Sequence, residues 1–467
     1  MDGMIIDCFA GGGGASVGIE MALGRQVDIA INHDPQAILM HKTNHWKTLH
    51  LTEDIFKVDL QKYTKGKKVA LMWASPDCTS HSKAKGGQPR NSGLRILPWA
   101  VYKHAKSILP DVIIMENVEE IQQWGPLDEK GHPIKEKLGE EYKRFITAMK
   151  SLGYIFESRE LVAADYGART TRKRWYAIFR RDGRSIVWPA PTHNKNGTFG
   201  LKKWLPVADV LDFNNLGKSI FGRKKSLADN TLRRIARGLD KFVFSGGDQR
   251  YIIQYHDSKE FRGQGVNTPL MTIDTSNRYA LVAAFISKFY KTGCGQSCLE
   301  PLHTITTSAG HFGQVNVMMM EWEKLKAAGV DEETAQKCTW VSEFIMEYYG
   351  CGTGQSVTEP LHTVVTKDRF ALVTVMGNEY VILDIYLRML TPEELKLAQG
   401  FPKDYIIDHD YKWHPYPMAE QVKRIGNSVV PIMTEALVKA NCSYLKVGER
   451  EPNLIIGEGE NKQMCFA

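Results

Sequence analysis

The N-terminal third of the chain alternates short apolar runs with segments of helical spacing. Met4 to Asp7, Val27 to Ile31, Val69 to Ala74 and Val112 to Met115 are apolar runs of strand length. Continuous apolar runs of that length suit strands buried on both faces. Ala15 to Leu23, Trp99 to Ser107 and Tyr142 to Leu152 carry helical spacing between and after them. Strands separated by helices predict an α/β domain over residues 1–182, a doubly wound parallel sheet covered on both faces.

The pattern changes over residues 183–386, which are rich in Gly, Thr and aromatics. This part opens with a basic cluster, Arg223, Lys224, Lys225, Arg233, Arg234 and Arg237. Such a cluster reads either as a solvated face or as phosphate contacts. It also contains a repeat. Gly295-Gln296-Ser297 leads to Pro301-Leu302-His303-Thr304, and Gly354-Gln355-Ser356 leads to Pro360-Leu361-His362-Thr363. A weaker copy runs from Gly263-Gln264-Gly265 to Pro269-Leu270-Met271-Thr272. Each copy predicts a turn followed by a short strand pair, such as the one containing Arg369 to Val373. A polar-faced helical insert is expected from about Met318 to Ser342, between the second and third copies. Helical patterns return over 387–447, where Thr391, Pro392 and Glu394 have the spacing of a helix start. Gly400 and Pro402 have the spacing of its end. Residues 448–467 are polar and are expected to be a flexible tail.

Composition narrows the class. With 467 residues and 43% hydrophobic positions, the chain can build sizeable cores. Sixty Lys and Arg against 53 Asp and Glu leave a net charge of +7, which permits a polyanionic partner without requiring one. No apolar run is long enough for a membrane span, and Met1 to Asp7 lacks the pattern of a signal peptide. A soluble cytoplasmic protein is the expectation. The eight cysteines are scattered, so a disulfide framework is not expected. Cys294 and Cys298 form a lone C-x-x-x-C, which reads as two thiols rather than a metal site.

Candidate chemistry falls at the ends of the predicted strands. Asp7-Cys8-Phe9-Ala10-Gly11-Gly12-Gly13-Gly14 follows the first strand and opens a helix. Glycines there admit a ligand close to the backbone, and helix N–H groups bind anions. The spacing is not the dinucleotide fingerprint, which disfavours a nicotinamide cofactor. A tight turn without a ligand is the alternative reading. Asp34 and Asp54 follow the next strands and serve as ligand carboxylates or as helix caps. Cys78, in Ser75-Pro76-Asp77-Cys78-Thr79, follows the strand ending at Ala74. A free thiol is only a few per cent thiolate near pH 7, so nucleophilic work needs cationic neighbours. Lys83, Lys85, Arg90 and Arg95 follow in a Gly- and Ser-containing loop. Glu116-Asn117-Val118 ends the strand from Val112, and offers a hydrogen bond to a base ring or an ion-paired carboxylate. Arg172 and Arg174 alternate into a strand and share a face suited to carbonyl or phosphate recognition.

Taken together and in order, these motifs resemble the DNA cytosine-5 methyltransferase family of bacteria and phages. Asp7-x-Phe9-x-Gly11-x-Gly13-Gly14 resembles its first cofactor motif, and Pro76-Asp77-Cys78 stands at its Pro-Cys motif. Glu116-Asn117-Val118 is identical to its Glu-Asn-Val motif. Tyr166-Gly167-Ala168 with Arg172-x-Arg174 resembles its Gln-x-Arg-x-Arg motif. Leu390-Thr391-Pro392-Glu393-Glu394 with Gln399-Gly400-Phe401-Pro402, and Gln421 through Gly426-Asn427-Ser428-Val429-Val430-Pro431, match its last two motifs. The sequence departs from the pattern at Asp77, Thr79, Thr170 and Asn32. Asp77 matters most, because a carboxylate beside a thiol raises the thiol pKa.

The resemblance implies a Rossmann-like doubly wound sheet of the methyltransferase type, with an inserted, irregular β-rich target-recognition domain. It implies methyl transfer from S-adenosylmethionine to carbon 5 of a flipped cytosine through a covalent Cys–C6 adduct. Cys78, Glu116, Arg172 and Arg174 would be catalytic. Asp7, Phe9, Ala10, Gly11, Gly13, Asn32, His33, Asp34, Asp54, Ile55, Pro76, Asn427, Ser428 and Val429 would bind the cofactor, with no metal. The implied partner is double-stranded DNA, recognised by a monomer, with a restriction endonuclease as a counterpart. Alternative readings are an RNA cytosine-5 methyltransferase, a non-catalytic DNA-binding homologue, and transfer of another one-carbon group from a modified cofactor.

Overall fold

The computed structural model of the chain describes residues 3–77, 95–213, 215–229, 231–232, 235–236, 250–254, 262–265, 279–288, 296–297, 301–302, 312–349, 364–367, 370–375, 378–453, 456–458 and 464–466. The chain forms two compact units. One holds residues 1–205, 301–308 and 395–467, the other 206–300 and 309–394. The change of sequence texture pointed instead to 183 and 387.

The first unit is built on a seven-stranded sheet. Its strands are β1 (Met4–Cys8), β2 (Ile29–Asn32), β3 (Leu49–Thr52), β4 (Val69–Ala74), β5 (Val112–Asn117), β6 (Ile155–Val162) and β7 (Lys173–Arg180). The spatial order is β3-β2-β1-β4-β5-β7-β6. Strands β1 to β5 run parallel, and β7 lies antiparallel between β5 and β6. Helices α1 (Gly14–Leu23), α2 (Pro35–Asn44), α3 (Leu60–Thr64), α4 (Leu97–Ile108) and α5 (Glu140–Ser151) connect the strands. Side chains alternate across the sheet. Ile5, Leu71, Trp73 and Ile114 enter one buried cluster. Ile6, Met72, Ile113 and Met115 enter the other. Burial on both faces is why these strands read as unbroken apolar runs. Two short strands, β8 (His193–Asn194) and β9 (Lys202–Lys203), pair in parallel beyond the sheet.

The second unit is an antiparallel sheet. Its strands are β10 (Lys218–Ser219), β11 (Arg250–Gln254), β12 (Arg262–Gly265), β13 (Tyr279–Lys288), β14 (Gln296–Ser297), β15 (Phe312–Glu321), β16 (Val364–Lys367), β17 (Phe370–Val375) and β18 (Asn378–Met389). The main order is β12-β11-β13-β15-β18-β17-β16. The third sequence repeat forms the expected hairpin, β16 with β17. In the two earlier copies the Gly-Gln segments expected as turns are themselves short paired strands, β12 and β14.

The helical insert needs correction. Met318 to Glu321 complete β15, and the helices are α6 (Trp322–Ala328) and α7 (Glu332–Tyr349). Val315, Val317 and Met319 are fully buried on alternate positions of a strand held between β13 and β18. Two ladders outweigh the mild helical preference of methionine. Strand β18 likewise runs to Met389, past the point where helical patterning was expected to resume.

Helix α8 (Pro392–Gln399) starts as predicted. Glu394 N–H donates to the Thr391 hydroxyl at 3.2 Å, and Thr391 N–H donates to Glu394 Oε2 at 2.8 Å. Gly400 ends it with φ +92°. Helices α9 (Met418–Asn427) and α10 (Pro431–Cys442) follow. Helix α10 packs against α1 so closely that a Cβ on Gly18 would lie 2.4 Å from the Pro431 carbonyl oxygen. Residues 448–453 of the expected flexible tail are fastened. Arg450 pairs with both oxygens of Asp404 at 3.1 and 2.7 Å, and Asn453 Nδ2 donates to Asn44 at 2.8 Å. Beyond them, β19 (Ile456–Glu458) pairs with β20 (Met464–Phe466).

Candidate active site

Five parallel strands end at one edge of the first sheet, and their following loops carry most of the sequence candidates. Phe9 to Gly13 follow β1, His33 and Asp34 follow Asn32 at the end of β2, Asp54 and Ile55 follow β3, Pro76 follows β4, and Glu116 is the penultimate residue of β5. This carboxyl edge is where open α/β sheets hold ligands. Because β7 runs the other way, its beginning lies at the same edge. The ladder pairs Glu116 with Tyr176 and Asn117 with Trp175, which sets Arg174 near Glu116.

The glycine turn is tight and left-handed in several places, with φ +67° at Phe9, +52° at Gly11 and +91° at Gly13. A non-glycine residue in that region costs about 1 kcal/mol. The glycines serve different ends. A Cβ on Gly13 would lie 2.0 Å from the Tyr405 hydroxyl, and one on Gly14 would lie 2.3 Å from the Val429 carbonyl oxygen. Those two are required by protein packing. At Gly11 a Cβ would meet only the Phe9 carbonyl oxygen, at 3.8 Å, so this stretch of backbone stays open to a ligand.

The segment around Asn427, Ser428 and Val429 lies against that turn. Gln399 Nε2 donates to the Ser428 carbonyl at 3.1 Å, and Ser428 Oγ donates to the Arg424 carbonyl at 2.9 Å. Arg172 Nη1 donates to the Gly426 carbonyl at 2.8 Å. Asn427 is exposed, whereas Ser428 and Val429 are buried. Tyr405 donates to the Gly12 carbonyl at 2.6 Å from the other side. The carboxyl-terminal stretch therefore braces the first loop of the fold.

Asp7 is fully buried at the base of the turn. Its Oδ2 accepts a bond from Ser16 Oγ at 2.7 Å, while Oδ1 has no partner. Burial pushes its pKa up to about 7, against the lowering effect of the Ser16 bonds. Such an orphaned carboxylate oxygen fits a cationic ligand group such as a substrate ammonium.

The other acidic candidates are committed to local structure. Asp34 caps α2 by accepting from Gln36 N–H at 2.9 Å, with Arg424 at 3.6 Å from its second oxygen. Asn32 Oδ1 accepts from Asp34 N–H at 2.8 Å, and His33 is exposed. Asp54 accepts from Phe56 N–H at 2.9 Å and is exposed, beside buried Ile55.

At β5, Glu116 is buried and lies 3.2 Å from Arg174 Nε. Asn117, also buried, donates to the Pro76 carbonyl at 3.1 Å and accepts from Val118 N–H at 2.9 Å. That bond ties the end of β5 to the loop after β4. Cys78 itself, with Lys83, Lys85 and Arg90, lies outside the described residues, as do Cys294 and Cys298. Arg95 is described and donates to the Gly125 carbonyl at 2.9 Å. The arrangement can hold a planar polar ring by its edge at Glu116 and Arg174, and an amino-acid-like ligand at the glycine turn.

The sequence reading missed Ser16, His41, His45, Tyr405 and Arg424. His41, on α2, and His45, the residue that caps its C-terminus, are four apart and both fully buried. A cavity of about 730 Å³ lies away from this edge, lined by Glu20, Arg25, Asp28, Trp46 and Lys47 among others. Among the described residues, no sequence-predicted site residue lines it. Among the described residues no group of His, Cys, Asp and Glu is arranged for a metal ion, and no helix is long and apolar enough to cross a membrane.

Comparison with known proteins gives a consistent result. A family model described as C-5 cytosine-specific DNA methylase matches residues 3–442. The Type II methyltransferase M.AquIA of Picosynechococcus sp. is 27% identical over 226 residues, 45% of this chain and 88% of that protein. The Type II methyltransferase M.Sau3AI of Staphylococcus aureus is 23% identical over 461 residues, 92% of this chain and 95% of that protein. The solved structure of Entamoeba histolytica methyltransferase EhMeth is 15% identical with a TM-score of 0.47, covering 96% of this chain and 100% of that one.

Proposed function

The chain belongs to the C-5 cytosine-specific DNA methylase family, and from that premise we propose that it methylates carbon 5 of a flipped cytosine in duplex DNA. The observation that carries the reading is the buried Glu116–Arg174 pair at the end of β5, joined through Asn117 to the Pro76 loop that leads to Cys78.

Carbon 5 of cytosine is a weak nucleophile, so the ring must be activated first. The Cys78 thiolate adds to carbon 6, which moves electron density to carbon 5. Glu116 holds N3 and the exocyclic amine as the ring gains charge. Arg174 keeps that carboxylate in place through Nε and offers Nη2 to O2, while its Nη1 donates to the Lys173 carbonyl. Arg172, committed to Gly426, braces the cofactor loops. S-adenosylmethionine, when bound, supplies an electrophilic methyl group on a sulfonium. After transfer, the carbon 5 proton leaves to a base, the thiolate is expelled and the ring regains its double bond. Asp77 beside the nucleophile is exposed, so solvent screens its charge.

For the cofactor, Asp7, Phe9, Ala10, Gly11 and Gly13 would cradle the methionine part. Asn32, His33 and Asp34 would take the ribose, and Asp54, Ile55 and Pro76 the adenine. Asn427, Ser428 and Val429 would close the turn from behind. The unit of residues 206–300 and 309–394 would read bases in the groove and grip phosphates. Extrusion of the base costs a few kcal/mol, which those contacts must supply. The enzyme would act as a cytoplasmic monomer alongside a restriction endonuclease.

A covalent trap tests the proposal. Duplex DNA carrying 5-fluorocytosine, with S-adenosylmethionine, should give a denaturation-resistant adduct, absent in Cys78→Ser. No adduct with the wild-type chain would leave a DNA-binding homologue. Methyl labelling of transfer RNA but not of duplex DNA would move the substrate to RNA. Mass spectrometry of the product base would expose any group other than methyl.

A further inference from the structure

Beneath the glycine turn lies a hydrogen-bonded chain that the mechanism does not use. His50, on β3 and half-buried, places Nε2 2.9 Å from His41 Nδ1. His41 Nε2 lies 2.9 Å from Ser16 Oγ, and Ser16 Oγ lies 2.7 Å from Asp7 Oδ2. Four elements contribute, β1, α1, α2 and β3, and all the links are within one compact unit.

Proton counting allows this chain two arrangements. With Asp7 ionised, Ser16 donates to Asp7, so His41 must donate from Nε2 to Ser16, and His50 donates from Nε2 to His41 Nδ1. With Asp7 protonated on Oδ2, every bond reverses. Asp7 donates to Ser16, Ser16 to His41 Nε2, and His41 Nδ1–H to His50 Nε2. One proton separates the two arrangements. It enters at His50 Nδ1, while each inner group passes on the proton it held, and the last reaches Asp7 Oδ2. Neither histidine keeps a charge.

We infer that His50, His41 and Ser16 form a proton path from the sheet edge to Asp7, and that His41 is a positioning residue whose tautomer follows the charge at the glycine turn. Burial, with His45 and His50 nearby, holds the His41 pKa well below its usual value. Burial, with His45 and Lys42, lowers that of His50 to about 4. Both therefore relay a proton without storing one near neutral pH. The surrounding ionisable groups lie outside the chain. Burial, reinforced by Asp7, pushes the Cys8 thiol up, and burial pushes the Tyr405 phenol far up against the opposing effect of Arg450. His45 Nδ1 faces Glu20 at 3.3 Å, and its Nε2 lies 3.4 Å from the Tyr405 hydroxyl. Resting on the cofactor reading above, an ionised Asp7 would hold the cofactor ammonium and a neutral one would not.

Nitrogen-15 NMR of histidine-labelled protein tests this, with the His41 signals assigned from a His41→Gln spectrum. The expected result is an Nε2–H tautomer of His41 at pH 8.5 that gives way to Nδ1–H near the Asp7 midpoint. The switch should vanish in Asp7→Asn and in Ser16→Ala. A single His41 tautomer throughout in the wild-type chain, or a switch that survives both substitutions, would overturn the path. Calorimetry with S-adenosylmethionine should show about tenfold weaker binding at pH 6 than at pH 8, because the ionised fraction of a carboxyl titrating at about 7 falls about tenfold over that range. Affinity flat with pH in a protein whose His41 does switch would overturn the link to the ligand. Failure to bind at any pH, with the switch intact, would sink the cofactor reading and leave the path standing.

Discussion

At the scale of single residues, two carboxylates do opposite things for stability and chemistry. Glu116 is buried but paired with Arg174, so its charge is compensated. Replacement by Gln keeps the volume and removes the charge. Methyl-transfer rates measured with labelled donor are expected to fall at least ~100-fold, the scale of a positioned acid–base group, and the melting temperature to fall as well, because Arg174 is left without its carboxylate partner. Asp7 is buried without an ion pair, and burial raises its pKa to about 7 from an ordinary 3.8. A raised folded pKa gives stability that is complete below the unfolded value and is lost as pH rises through the folded one. The loss for Asp7 therefore falls between about pH 4 and pH 7. His41 and His50 act in the opposite sense, because their folded pKa values are lowered. Their contribution is complete above pH 6.5 and declines as pH falls. Asp7→Asn leaves those histidines in place, so comparison with wild type isolates the carboxylate. The variant should melt higher than wild type at pH 8, with the gap narrowing toward pH 5, and should bind S-adenosylmethionine more weakly. Equal melting at pH 8 would remove the buried-charge cost.

At the scale of elements, glycines report where helices and loops meet. Gly14 opens α1 directly against the 428–431 segment, and its Cβ would lie 2.3 Å from a backbone oxygen. Overpacking against backbone typically costs ~1–3 kcal/mol. Gly14→Ala should lower the melting temperature and the cofactor affinity together. Gly66 is a control, since nothing lies within 4 Å of its would-be Cβ and only its φ of +76° opposes a side chain. Gly66→Ala should cost about 1 kcal/mol and leave affinity unchanged. Capping shows the same economy. Thr391 and Glu394 satisfy each other's N–H groups, and Glu394 also takes a two-pronged bond from Arg388 at 2.7 and 2.8 Å. Thr391→Ala should cost about 1 kcal/mol in thermal unfolding, the usual worth of such a cap.

At the scale of the whole molecule, the excess of positive charge is small for a chain of 467 residues. Binding to duplex DNA should nonetheless weaken with salt, because each phosphate contact releases a counterion. A filter-binding or anisotropy titration from 50 to 200 mM salt should show a loss of at least ~10-fold. A salt-independent affinity would argue against phosphate contacts as the source of grip. The family match extends over residues 3–442, so it includes residues of both compact units.

Much of this was legible in the order of residues. Two-sided burial forces unbroken apolar strands, so β1, β4 and β5 stood out, and local capping chemistry marked the start and end of α8. Chemistry-bearing residues followed those strands, and a parallel sheet must bring such loops to one edge. Pairings between distant positions were not legible, because nothing local encodes them. Arg172 with Gly426, Tyr405 with Gly12 and Asn117 with Pro76 became partners only when the sheet and its returning helices closed. The same closure decided that Met318 to Glu321 would be strand, since two flanking ladders outweigh a weak local preference. Ser16, His41 and His50 are ordinary residues in the sequence. Only the fold brings them into bonded succession with Asp7, from half-buried His50 to fully buried His41 and Ser16, and makes them a chain with a direction.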